Sequence, residues 1–140
     1  MSISALLAFA FVSATLGGMI FFVSAVAPTV FRILPQAEAG RFLRALFRNY
    51  YVVFAASSVL AMTAAAVAGR VWEALLLAVV AAGFVAARQG LMPRINALRD
   101  RMLAGEGAAA PAFNALHRAS VWLNMVQMAA LLLVAVLLTC

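Results

Sequence analysis

Four long apolar stretches alternate along the chain with short segments that carry arginine. No charged side chain precedes Arg32, and Ile3 to Ala27 exceeds the ~20 apolar residues a helix needs to cross a bilayer. The second stretch, between Arg48 and Arg70, is uncharged throughout. A third runs from Trp72, a residue type that anchors at membrane interfaces, to Gly90. Its uncharged centre, Ala74 to Ala87, covers only ~21 Å at 1.5 Å per residue, so Glu73 or Arg88 must enter the interface or the bundle. The fourth extends from Ala119 to Cys140 and starts earlier, because Pro111 suits a first helical turn. The pattern predicts spans over 3–27, 49–69, 71–90 and 113–138 within a single domain, 1–140. The expected fold is all-α, an antiparallel four-helix transmembrane bundle.

The connections carry patterns of their own. Phe42, Leu43, Leu46, Phe47 and Tyr50 share one side of a helical wheel, with Arg41, Arg44 and Arg48 opposite. This predicts an amphipathic interfacial helix over 36–48, its three arginines on lipid headgroups. Such a helix could sense lipid, dock a partner or simply anchor the second span. Residues 91–112 read as a loop, with a short helix bearing Ile95, Leu98 and Met102 before a flexible Gly105-Glu106-Gly107 link. Small residues recur at four-residue spacing, above all around Gly17 and Gly18, and predict close helix approach. No repeat is visible that would make one half of the sequence a copy of the other.

Composition narrows the function classes. Hydrophobic residues form 68% of the chain and charged residues 10%, with a mean hydropathy of +1.11. A soluble enzyme, a disordered tail and a nucleic-acid module are excluded, despite a pI near 11.4. All ten cationic residues are arginine. Only Arg70 lies on one side of the expected membrane; the other nine lie beside or between spans one and two or three and four. Positive charge stays inside, so both arginine-rich loops are expected in the cytoplasm of a bacterial inner-membrane protein, with both termini periplasmic. Ala25-Val26-Ala27 looks like a processing site, but no cation precedes the apolar run and Pro28 would follow the cut, so the segment reads as a retained span. Cys140 is the single cysteine, which leaves no disulfide or CxxC motif within the chain.

Candidate chemistry concentrates in the fourth span. His117, Ser120, Asn124 and Gln127 fall within one helical sector of about 80°, and such a stripe should face the bundle interior. Asn49, Tyr50 and Tyr51 open span two at similar depth, while Arg88 and Gln89 close span three. Together they predict a polar pocket near the arginine-rich loops, either packing glue or a site for a polar or anionic ligand with Arg88 as counter-charge. The four acids lie in loops or at span ends, which argues against an acid-dependent proton carrier. His117 is the single histidine, and Met128 on its face lies roughly 16 Å along the axis, so no metal site is expected. A Ser120–His117 nucleophile lacks a third group, and no catalytic residue is assigned.

Gly17-Gly18, Phe21-Phe22, Ala27-Pro28 and Phe31 resemble the first-helix signature of a small four-helix membrane domain of unknown function, whose eukaryotic branch includes transmembrane protein 205. Leu46-Phe47 with Tyr50-Tyr51, Pro93-Arg94-Ile95-Asn96 with Arg99, and Phe113 with Leu116-His117, Ser120 and Leu123-Asn124 continue the match in order. The resemblance implies an integral four-helix membrane protein and brings no settled activity with it. The architecture is more distantly similar to HemJ-type protoporphyrinogen oxidases and CopD-type copper proteins. The expected function is a non-enzymatic membrane protein with a cytoplasm-facing pocket for a small or anionic ligand, or a packing subunit. A membrane oxidoreductase handling a porphyrin or quinone, with haem or quinone as cofactor, stays open, as does an accessory subunit of a larger complex. The expected partners are membrane lipids, with other membrane subunits or a second copy as alternatives and no nucleic acid.

Overall fold

The computed structural model describes all 140 residues as helices and tight turns. In chain order these are α1 (Ile3–Phe21), a π turn (Phe22–Val26), α2 (Ala27–Ile33), α3 (Gln36–Val67), α4 (Val71–Ala86), a second π turn (Ala87–Leu91), α5 (Met92–Leu103), a 3-10 turn (Gly107–Ala109) and α6 (Ala110–Thr139). Ser2 caps α1, its hydroxyl accepting from the Ala5 N–H at 3.2 Å. Gly69 (φ 75°) and Gly105 (φ 94°) end α3 and α5 in the left-handed conformation that a side chain would strain. At both, the following N–H bonds back to the carbonyl five residues earlier, Arg70 to Ala65 and Glu106 to Arg101.

Each π turn stands just before a proline, Pro28 in α2 and Pro93 in α5. Proline cannot donate to the carbonyl four residues back, and its ring crowds that carbonyl. Widening the preceding turn relieves the clash while the helix runs on. The two interrupted helices are therefore continuous units, Ile3–Ile33 and Val71–Leu103, which join Gln36–Val67 and Gly107–Thr139 as four helices long and apolar enough to cross a membrane.

Two expectations change here. No separate interfacial helix covers 36–48; those residues are the first turns of the 32-residue α3. Between Arg41 and Val67 the sequence holds no Gly or Pro, so nothing stops helix propagation. Residues 91–103 likewise continue the third long helix, and only 104–106 form a connection before the fourth begins at Gly107. The long helices have 31 to 33 residues. At 1.5 Å per residue they reach ~50 Å, well beyond a hydrocarbon core of ~30 Å. The bundle thus projects from the bilayer.

The helices form an up-down ring in which α3 packs on α1 and α4, and α6 packs on the same two from the other side. Only 26 of 140 residues are buried. Val12, Met19, Leu77, Phe84, Leu131 and Val134 fill the axis, whereas Trp72, Val79, Trp122 and Val126 stand outward. An apolar exterior around a thin core fits lipid as the solvent, and the chain is a multi-pass membrane protein. Polar links tie the helices: Thr15 Oγ1 and Ser57 Oγ sit 2.8 Å apart between α1 and α3. At the end that carries both termini, Arg70 pairs with buried Glu73 at 2.7 Å and donates to the Leu137 carbonyl of α6.

The two helix pairs repeat one another, contrary to the sequence reading. One constant spacing matches buried Ala8, Val12, Thr15 and Met19 with buried Glu73, Leu77, Val80 and Phe84. The same spacing superposes the two π turns, the two prolines, and Gly18 on Gly83. In the second helix of each pair, buried Ser58, Ala61 and Ala65 match Leu131, Val134 and Leu138. Few identities accompany this match, which is why the repeat is silent in the sequence.

Candidate ligand pocket

A cavity of about 280 Å³ opens between the helix pairs at the arginine-rich end; a second hollow lies at the opposite end, among Ser2, Ala68, Arg70 and Leu138. The floor of the first is an aromatic cluster: Phe22, Phe47, Tyr50 and Tyr51 line it, and Phe54 and Phe84 back it from below. Ring centroids lie 4.5 Å apart for Tyr50–Phe54 and 5.1 Å for Phe22–Phe47, mostly edge to face. Gly18 admits this packing, since a Cβ there would stand 2.7 Å from Phe54. The walls come from every long helix: Val23, Ala27 and Phe31 from the first, Leu43 and Arg44 from α3, Met92, Ile95, Asn96 and Arg99 from α5, and His117, Ser120, Val121, Asn124 and Met125 from α6.

The roof is cationic. Arg44 reaches from α3 to α5, donating to Asp100 Oδ1 at 2.6 Å and to the Asn96 carbonyl at 3.2 Å. Arg99 lies against Gly40, whose absent Cβ would meet its Nη1 at 2.6 Å. Its guanidinium carbon stands 5.4 Å from the Phe113 ring centre, and Phe113 stacks in turn on His117 with centroids 5.9 Å apart. Each of the four acids is spent on one arginine: Glu38 on Arg41, Asp100 on Arg44, Glu73 on Arg70 and Glu106 on Arg101. Arg99 has no carboxylate partner, and it alone among the arginines so left lines the cavity. The Asn124 side-chain oxygen, on the α6 wall, is buried without a hydrogen-bond partner.

The structure divides the residues that the sequence singled out. Tyr50, Tyr51, His117, Ser120 and Asn124 line the cavity. Ser120 donates to the His117 carbonyl at 2.7 Å, and His117 itself is exposed at the mouth. Gln127 lies deeper, donating from Nε2 to the Val80 carbonyl at 3.1 Å across Gly83, so the lower end of the stripe links α6 to α4. Asn49 and Gln89 are exposed and outside the lining. Arg88 also lies outside it, half-buried in the second π turn with its Nε unpartnered, and does not share the cavity with His117. Of the three arginines expected on lipid, Arg41 and Arg48 are exposed, whereas Arg44 turns inward to Asp100. Reading 91–112 as a loop hid Arg99 and Asn96. Their signal was helical spacing, since Ile95, Asn96 and Arg99 share a face. No group of His, Cys, Asp or Glu side chains is placed to hold a metal ion.

A four-helix membrane bundle with an aromatic-floored, arginine-roofed cavity between its two repeats is the class this geometry defines. The chain belongs to the family described as a domain of unknown function, DUF4149, whose model matches residues 10–104. The match covers the first long helix from residue 10 and all of the second and third, and ends before α6, which supplies the His117 wall. No curated protein and no solved structure gives a significant match.

Proposed function

We propose that this is a non-enzymatic membrane protein that binds a small anionic amphiphile in the cavity beneath Arg99. The observation that carries the reading is Arg99 itself, a cation in no salt bridge at the mouth of a cavity whose floor is aromatic and whose lining is mostly apolar. A guanidinium presents paired N–H groups that match a carboxylate or phosphate, and an aromatic floor favours an apolar body beneath it. The unpartnered Asn124 oxygen is an acceptor, so it could bond only an O–H or N–H of the ligand and not the anionic oxygens themselves. Lying between Arg44 and Arg99, the headgroup would face the cytoplasm if the arginine-rich end is inside, as the charge bias expects for a bacterial inner membrane.

The test is the affinity of the purified protein for dodecyl phosphate. Arg99→Gln should weaken it about tenfold or more, as expected for loss of a charged hydrogen bond. Arg101→Gln, whose side chain pairs with Glu106 outside the cavity, should leave it unchanged. Equal affinities for wild type and Arg99→Gln would overturn the proposal.

A further inference from the structure

The cavity has an open side. Where α1 packs closely on α6 in the terminal half, α2 makes no comparable approach to α6 beyond the π turn. The gap is edged by Val23 and Phe31 on one lip and by Val121 and Met125 on the other, all four lining the cavity. They are also among the exposed large apolar side chains, at 43%, 60%, 43% and 37%. A mouth opening only to water would not favour four such side chains on its rim, whereas one opening to lipid would.

Depth and size agree with that direction. Counting along α6 from Thr139 at 1.5 Å per residue, Met125 lies ~21 Å and His117 ~33 Å from the terminal end. By the same count Val121 lies ~27 Å, and Val23 and Phe31, counted from Ile3, lie ~30 Å and ~42 Å from that end. A ~30 Å hydrocarbon core starting there would hold the part of the gap between Met125 and Val121 at acyl depth, with Val23 at its boundary and Phe31 level with the Arg99 roof beyond it. At about 280 Å³ the cavity falls just below the usual range of ligand pockets, ~300–1,000 Å³. That volume takes a headgroup and the upper part of one chain, and the remainder of a long chain has to leave through the gap.

We infer that the gap between α2 and α6 is a lateral portal, and that the ligand is a single-chain anionic amphiphile drawn from the bilayer with its tail still in lipid. This rests on the proposed function above and specifies the ligand and its route. The binding free energy then has two separable parts: an anionic head under Arg99, and a chain that threads between Val23 and Val121. Inorganic phosphate has the first part alone.

Binding of hexyl phosphate and hexadecyl phosphate to the full chain in neutral detergent tests the portal. Wild type should bind both, the longer at least as tightly, and inorganic phosphate at equal concentration should displace neither. Val121→Trp, which fills the gap from the exposed side of α6, should weaken hexadecyl phosphate at least tenfold and keep hexyl phosphate within about twofold. Retained hexyl binding also reports that the variant is folded. Val23→Trp, on the opposite lip, should give the same split. A wild type that binds hexyl but rejects hexadecyl phosphate overturns the portal and leaves the anion site standing. So does unchanged hexadecyl binding in both tryptophan variants, or loss of both probes in both. Binding of neither alkyl phosphate to wild type overturns the underlying reading instead, and displacement by inorganic phosphate overturns the lipid origin of the ligand.

Discussion

Gly17 and Gly18 are neighbours in sequence with opposite surroundings. Nothing lies within 4 Å of a Cβ built on Gly17, whereas one on Gly18 would stand 2.7 Å from Phe54 Cζ and 2.9 Å from its Cε1. Phe54 is held by Tyr50 and Phe84, so it cannot swing aside. Gly18→Ala is therefore expected to lower stability by ~1–3 kcal/mol through overpacking. Gly17→Ala should be neutral or stabilise by up to ~1 kcal/mol, from the helix preference for alanine. Thermal melts of the two variants in detergent check this, and equal melting temperatures would contradict the packing account. The sequence marked this pair as a close-approach site without separating its two members, because the choice depends on where Phe54 arrives from another helix. The stripe on α6 was legible in the same partial way. Its spacing placed four polar groups on one face, but only the partner helices decide that Gln127 meets the Val80 carbonyl while His117, Ser120 and Asn124 border a cavity.

Helix ends and kinks mark what the chain pattern hides at the scale of elements. The four spans were visible because apolar length and arginine position are one-dimensional signals. Their continuation beyond the bilayer was not: a polar, arginine-rich stretch such as 36–48 reads as a separate interfacial piece until a continuous hydrogen-bonded ladder is seen. Pro93 reads as a break, yet the π turn over Ala87–Leu91 carries the helix through it, and that turn brings Asn96 and Arg99 over the cavity. Replacing Pro28 or Pro93 with alanine removes the reason for the widened turn and should let ordinary helical bonding resume. Each variant is expected to melt no lower than wild type and to bind dodecyl phosphate at least several-fold more weakly, because the helix re-aims the cavity wall. Binding equal to wild type would show that the π turns do not shape the site.

The molecule as a whole is two copies of a helix pair closed into a ring, with the aromatic-floored cavity at its arginine-rich end. At the terminal end, the Arg70–Glu73 pair and the Arg70 bond to the Leu137 carbonyl tie the turn after α3 to α6. At the arginine-rich end the two pairs are joined by Arg44 and Asp100, and the cavity lies between them. The arginine bias predicts which end faces inward: reporter fusions after Cys140 should show an exported signal, and fusions within 104–106 a cytoplasmic one. The reverse pattern would place the mouth on the opposite side of the membrane without altering its chemistry.

Native mass spectrometry of the intact protein released from its own membrane tests the central claim most directly. Wild type should carry one added mass that, on fragmentation, is a single-chain amphiphile with an anionic headgroup, and Arg99→Gln should fly without it. A wild-type protein that carries only a tetrapyrrole or a quinone, or that keeps the same amphiphile after Arg99→Gln, would contradict the account.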